Sequence, residues 1–378
     1  MTEPPNANPA SEGDLDARAS QYTRLKLHLA IVNWGLGTYV VVFLLVGWTN
    51  VLRDFAWEHA LDWFGALLIY ALIFALTVEL VQLPIAFYSG HIVEHRFGLS
   101  RMTAVGWWKD HVKALALRAL LGVSSVIVIY SAIRWFPNTW WLWAATAFTG
   151  ITILATALAP IFLFPLFSKF EPLADEELVR RVIALCDRAG TSVRRVLVWK
   201  LGQKSSKASA LLVGWGRTRT ILVADTLLER HTCEEVEAVL AHELAHHVHS
   251  DIPRLIVVRS GLTLAALYLV HWVLLWATPR LGYQGIADFA SWPLVALVMW
   301  AFTLAMMPLA NAYSRWRERL ADDFALRLGR NPKAFIGAMR KLAEQNLTPV
   351  KPHPWVEFLF YAHPSVEKRI AFAEQIIL

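Results

Sequence analysis

Residues 63–88 read WFGALLIYALIFALTVELVQLPIAFY, 26 residues with a single charged side chain, Glu79. A helix crosses the hydrocarbon core of a bilayer with roughly 20 consecutive apolar residues, and this run is long enough to do so. Five further runs have the same character: Leu27–Trp48, Val112–Ile133, Trp140–Pro165, Ile256–Ala277 and Trp292–Tyr313. Trp135, Trp140, Trp141, Trp143, Trp276 and Trp292 gather at their ends, where amphipathic rings suit the membrane interface. The expected fold is mainly α, a polytopic helical membrane protein. It has about six spans, and a seventh stays open because the two longest runs can be tilted or broken.

Composition points the same way. The 378 residues are 56% hydrophobic and include 18 Trp, against about 45–50% apolar residues in a soluble domain. The net charge of +6 is read as loop charge that orients the spans, so no nucleic-acid partner is expected. Cys186 and Cys233 are isolated thiols, which suits a reducing compartment. Residues 1–26 are polar with no apolar run and read as a disordered tail.

Lys and Arg set the orientation. Arg18, Arg24 and Lys26 precede the first span, and Arg96, Arg101 and Lys109 follow the second. Residues 168–255 and those beyond Ser314 are also basic, whereas the alternate loops carry little beyond Arg53, Arg134 and Arg280. With six spans, all the basic segments fall on one side, and the positive-inside rule makes that side cytoplasmic. Four spans over 27–165 are then followed by a cytoplasmic domain over 166–255. A two-span hairpin over 256–313 leads to a cytoplasmic C-terminal segment over 314–378. Within the first cytoplasmic domain, Asp175–Ala189 has helical spacing, and Val196–Lys200, Ala208–Val213 and Thr220–Val223 suit a small sheet.

Thr232 and Glu235 form a capping box that opens a helix over Cys233–His249. That helix contains His242-Glu243-Leu244-Ala245-His246. Positions i and i+4 share one helix face, so His242 and His246 can offer two imidazoles to one metal ion. Glu243 lies beside them, placed to take a proton from an attacking water. The third ligand must reach the same membrane face, and the hairpin returns Glu318 to it. Asp322, one turn further on, is placed to hydrogen-bond the free nitrogen of a ligand histidine. One Zn2+ per chain suits these ligands, although cobalt or manganese suits them too. His247 and His249 point off the metal face, and Asp251 either supports a ligand or is an ordinary helix-end charge.

Four ionisable residues lie within spans: Glu79, Arg118, Arg259 and His271. The arginines sit near span ends and can snorkel, and Glu79 either lines a polar cavity or pairs with an arginine. Asn311 is a buried structural amide or a substrate contact. His363 precedes the Ser365–Ile376 helix, which carries Arg369. A second histidine or an arginine near the metal can stabilise an oxyanion.

Several ordered motifs together resemble the type I CAAX prenyl endopeptidases, integral-membrane zinc metallopeptidases. They are Leu83-Pro84 with Tyr88, Glu94-His-Arg-Phe97-Gly98-Leu99, and the Pro165–Leu173 stretch. Asp225-Thr226-Leu227 precedes HExxH, and Asn311, Ser314, Arg315, Glu318, Ala321 and Asp322 form a second motif. Tyr361, His363, Pro364 and Arg369 complete the pattern, which covers about Leu83 to Ile370. The resemblance implies zinc on His242, His246 and Glu318, with Glu243 as general base. It implies a zincin-like site at the cytoplasmic end of a chamber enclosed by membrane helices. His363 and Arg369 would lie near the site, supported by Asn311 and Arg315. A peptide substrate would lie extended beside a strand at Ala208-Ser209-Ala210, where the family usually has Ser-Asn-Ala.

The expected activity is therefore membrane zinc endopeptidase, with CAAX-type C-terminal processing of a peptide that can be prenylated. The short loops and Arg-rich composition look bacterial, which points to a cytoplasmic (inner) membrane. In a eukaryote the expected membrane is that of the endoplasmic reticulum. Bacteria generally lack prenylated proteins, so broad cleavage of membrane or misfolded proteins is the rival. A non-enzymatic transporter or scaffold with a vestigial metal site is the third reading, against which the intact Glu243 stands.

Overall fold

The computed structural model describes residues 12–191, 193–214 and 219–377. Among these, six helical segments are long and apolar enough to cross a membrane. The first helix, α1 (Glu12–Phe43), passes through a π-helical turn at Leu44–Trp48 into α2 (Thr49–Glu58). α3 (Trp63–Phe87) passes through a second π turn into α4 (Val93–Arg96). α5 (Ala104–Trp135) and α6 (Trp140–Leu158) form an antiparallel pair, and α7 (Phe164–Phe167) ends the fourth span. Tyr70, Tyr130, Trp140 and Leu267 are fully buried where these helices meet.

The expected tail over 1–26 is corrected from Glu12 onward, because α1 begins there; residues 1–11 lie outside the described residues. Tyr22 packs edge-on against Phe97, with ring centroids 5.2 Å apart. Tyr22 Oη and Lys26 Nζ donate to Glu94, at 2.7 and 3.0 Å. A polar helix that looks unfoldable alone is thus ordered by partners more than 60 residues away, which local composition does not reveal.

The soluble part opens with β1 (Phe170–Pro172), α8 (Glu176–Arg188) and β2 (Arg195–Trp199). β3 (Ala210–Val213), β4 (Thr220–Ala224) and α9 (Asp225–Leu228) follow. The sheet order is β1-β2-β4-β3, with β2 and β4 parallel and the other pairs antiparallel, so β3 is an edge strand. α10 (Cys233–Val248) carries HExxH, and its capping box at Thr232 and Glu235 is formed. Ser250, at φ 54°, then breaks the chain before α11 (Asp251–Ala277). The break therefore comes ahead of Pro253, which sits in the first turn of α11, where a missing amide hydrogen leaves no intrahelical bond unmade.

α12 (Trp292–Gly329) is one continuous helix of 38 residues. At 1.5 Å per residue it is about 57 Å long, well beyond a hydrocarbon core of about 30 Å. The expected boundary at residue 313–314 therefore does not exist as a break. The sixth span carries its own helix into the soluble part, with Asn311, Arg315, Glu318 and Asp322 on it. α13 (Pro332–Asn346), α14 (Pro354–Phe360) and α15 (Val366–Ile377) close the fold against it. The soluble core draws on α8, α10, α12, α13, α15 and the sheet, with Val182, Leu185, Leu244 and Ala338 fully buried.

Candidate active site

The capping box and the first turn of α10 anchor its start. Leu240, Ala241, Leu244 and Ala245 bury its inner face. That packing turns His242 and His246 toward α12, whose Glu318 meets them. His242 Nε2 is 3.1 Å from Glu318 Oε2, and His246 Nε2 is 3.5 Å from Glu318 Oε1. One ligand atom from each of the three lies within 4.8 Å of the others, a spacing that one metal ion can bridge. Glu318 Oε2 is buried without a hydrogen-bond partner. A buried carboxylate whose Oε2 faces His242 Nε2 and whose Oε1 faces His246 Nε2 is a donor arrangement that a metal satisfies. Two nitrogens and one oxygen, with no fourth protein ligand among the described residues, suit a catalytic rather than a closed structural site.

Each histidine is oriented from behind by a carboxylate. His242 Nδ1 lies 2.9 Å from Asp322 Oδ1, and His246 Nδ1 lies 2.8 Å from Asp251 Oδ2. An Nδ1–H donated to a carboxylate leaves Nε2 as the free lone pair, which is the tautomer that a metal needs. Both carboxylates are in turn held by arginines. Arg369 donates to Asp322 from Nε and Nη2, at 2.9 and 2.6 Å. Arg317 donates from Nε and Nη2 to Asp251 Oδ1. The two arms are thus built alike, as arginine, carboxylate and histidine in series.

Charge follows this geometry. For His242, burial alone lowers the pKa, but Asp322 and Glu318 outweigh it and push it up to about 9 in the metal-free chain. Burial raises the Glu243 carboxyl above its ordinary range, and His242 and His246 oppose that rise.

The other expected residues fall into place at different distances. His363 is exposed, with Nε2 3.4 Å from Glu318 Oε1, so it borders the cluster from the open side. Arg369 directs its fork at Asp322 rather than into open space. Asn311 and Arg315 do not touch the three-residue cluster. Asn311 Nδ2 donates to the Leu359 carbonyl at 2.6 Å, and Arg315 Nη1 reaches the carbonyls of Glu357, Phe358 and Tyr361. Both pin the segment that presents His363. Ala208 and Ala210 are buried beside α10, with Ser209 between them. His247 donates from Nε2 to the Leu212 carbonyl at 3.0 Å, turned away from the cluster.

Two contributors went unassigned at the level of sequence. In the sequence Asp251 reads either as support for a ligand or as an ordinary helix-end charge, and Arg317 is one of three arginines, with Arg315 and Arg319, that flank Glu318. The available signal was their spacing: Asp251 lies five residues after His246, and Arg317 adjoins Glu318. Glu79 pairs rather than standing free. It accepts from His111 Nε2 at 2.8 Å and from Arg118 Nη2 at 3.0 and 3.1 Å. His271 accepts at Nδ1 from Trp140 Nε1 at 3.0 Å.

The chain is similar to known membrane metallopeptidases. The model of peptidase family M48 matches residues 172–377, and a model described as the CAAX prenyl protease N-terminal region, five membrane helices, matches residues 4–169. An uncharacterized metalloprotease, YhfN of Bacillus subtilis, is 27% identical over 95% of this chain and 85% of its own length. CAAX prenyl protease 1 of Saccharomyces cerevisiae is 26% identical over 79% of this chain and 69% of its own length. The crystal structure of S. mikatae Ste24p superposes with a TM-score of 0.84 at 22% identity, covering 99% of this chain and 92% of that one. With the peptidase model spanning more than half of its length, the chain belongs to peptidase family M48 and is a multi-pass membrane metalloprotease.

Proposed function

We propose that the chain is a zinc endopeptidase whose site opens at the cytoplasmic face of the membrane, with His242, His246 and Glu318 as the metal ligands and Glu243 as general base. The observation that carries this reading is the pair of matched arms behind the cluster. Both imidazoles are held from Nδ1 by a carboxylate and turn Nε2 toward the two oxygens of the buried Glu318, His242 toward Oε2 and His246 toward Oε1. When bound, zinc polarises the scissile carbonyl and lowers the pKa of water to about 7. Glu243 takes the proton of the attacking water and delivers it to the leaving amine. His363, on the open side, is placed to donate toward the developing oxyanion. Arg369 acts through Asp322 as a positioning residue, holding the His242 tautomer. Asn311 and Arg315 hold the segment that carries His363.

For substrate, we propose C-terminal processing of the CAAX type. Its support is the similarity to relatives named for that activity and the match to the CAAX prenyl protease N-terminal model. Ser209 in place of the family's usual asparagine favours a second reading, broad cleavage of membrane-protein segments. Glu243→Gln tests the mechanism: metal stays bound while peptide cleavage falls by at least about a hundredfold, and unchanged cleavage overturns it. Incubation with a farnesylated CAAX peptide and with an unmodified membrane peptide separates the substrate readings. Equal cleavage of the two refutes dependence on the prenyl group.

A further inference from the structure

Edge strand β3 is almost entirely occupied along its outer side. In an antiparallel pair, successive residues alternate between bonding the partner strand and facing away from it. The Ala224 amide donates to the Ser209 carbonyl at 2.9 Å, so Ser209 faces β4. By alternation, the backbone groups of Ala208, Ala210 and Leu212 face outward, toward α10.

Two of these three are already engaged. Asn346, the last residue of α13, accepts from the Ala208 amide at Oδ1 (2.8 Å) and donates from Nδ2 to the Ala208 carbonyl (3.1 Å). Its side-chain amide therefore does what a residue on a neighbouring strand would do. The geometry is fixed from both directions: Leu347 ends α13 in the left-handed region at φ 50°, and Gln345 donates to the carbonyls of Ser206 and Thr226, each at 2.9 Å. At the other end, His247 Nε2 occupies the Leu212 carbonyl at 3.0 Å. Upstream of Ala208 the chain is bonded to the loop after α4: Ser206 N donates to the Leu99 carbonyl, and Arg101 N to the Lys204 carbonyl. Among the described residues of β3, the outward groups that remain are the Ala210 amide and carbonyl and the Leu212 amide.

A cavity flanks each end of this rung. One of about 500 Å³ is lined by Asn346, Tyr361, His363 and Arg369. The other, of about 290 Å³, is lined by Pro160, Phe164, Leu212, His246 and His247. A peptide passing the three-residue cluster between them meets the backbone groups of Ala210 and the amide of Leu212.

Resting on the peptidase reading above, we propose that Asn346 terminates the substrate-pairing edge of β3. The substrate backbone exchanges two strand hydrogen bonds with Ala210, meets no open group at Ala208, and there leaves the strand and enters the Asn346 cavity. Asn346 is thus a specificity-determining residue, setting how many substrate residues are read as backbone on that side of the scissile bond.

The test is an N-methyl scan of a cleavable peptide, one backbone amide at a time, read as binding to the zinc-loaded Glu243→Gln protein and as KM in the wild type. In the wild type, one amide is sensitive through strand pairing, with an affinity loss on the order of fivefold for one lost hydrogen bond. In Asn346→Ala a second sensitive amide emerges, two residues along, because the Ala208 groups become free. An unmoved profile in Asn346→Ala overturns the proposal, as does a wild-type profile with two alternate sensitive amides on that side. A purely structural Asn346 would weaken all peptides equally and leave the pattern in place. Binding to Glu243→Gln needs no turnover, so failure of the peptidase reading is seen separately, and the wild-type scan decides even if Asn346→Ala does not fold.

Discussion

Asp251→Asn is the most informative single change at the site. The carboxylate accepts from His246 through one oxygen and from Arg317 through the other. An amide of the same shape has one acceptor and one donor, so it cannot serve both. If its oxygen faces Arg317, its NH2 faces His246 Nδ1, which must then accept. The imidazole proton moves to Nε2, the atom 3.5 Å from Glu318. If its oxygen faces His246, the NH2 abuts Arg317, which is only 6% exposed and loses its counter-charge. The first outcome blocks a metal ligand and the second leaves a buried charge unpaired. Partners of this kind typically contribute ten- to a hundredfold in metal affinity, or about 1.4–2.7 kcal/mol. The assay is zinc competition against a chromophoric chelator at neutral pH. Adding Arg317→Met separates the two costs. If tautomer control dominates, the double variant regains thermal stability without regaining zinc affinity. Zinc affinity of Asp251→Asn within twofold of wild type refutes the reasoning.

Arg315→Ala should lower kcat at least tenfold with metal content unchanged, because displacing a reacting group by about 1 Å can cost a hundredfold; loss of metal in step with activity would place Arg315 in the metal site instead. Asp288→Ala removes the buried partner of Arg53, whose Nη1 bonds Asp288 at 2.7 Å, and leaves it with the exposed Asp54; losing one charge-assisted bond of this kind costs about 1.5–3 kcal/mol. The measurement is the melting temperature in detergent, and an unchanged value contradicts the pairing. Metal affinity should rise with pH toward about 9. Below that value the His242 imidazole holds a proton that the ion must displace, at roughly tenfold in affinity per pH unit. A zinc affinity that is flat between neutral and pH 9 would count against the protonated His242.

Much of the site was legible because helical periodicity is local. His242 and His246 share a face by spacing alone, and the apolar runs required that Glu318 return to the same side of the membrane as they do. What stayed hidden depends on long-range contacts. Residues 12–26 read as tail because their partners, Glu94 and Phe97, lie some 70 residues away. The continuity of α12 was hidden by the change from apolar to charged residues after Tyr313, although both halves are good helix. Arg369 drew attention as a possible oxyanion group, but its direction is set by Asp322, 47 residues earlier.

By itself, the amino-acid order determined the membrane class, about six spans and the helix that carries HExxH, since each follows from period, length and charge along the chain. Tertiary structure alone decided that each ligand histidine has its own carboxylate and arginine behind it. It alone decided that β3 is an edge whose Ala208 rung is closed by Asn346. Those facts depend on how separate helices approach in space, where hydrogen-bond geometry selects partners within a few tenths of an ångström and sequence distance carries no weight.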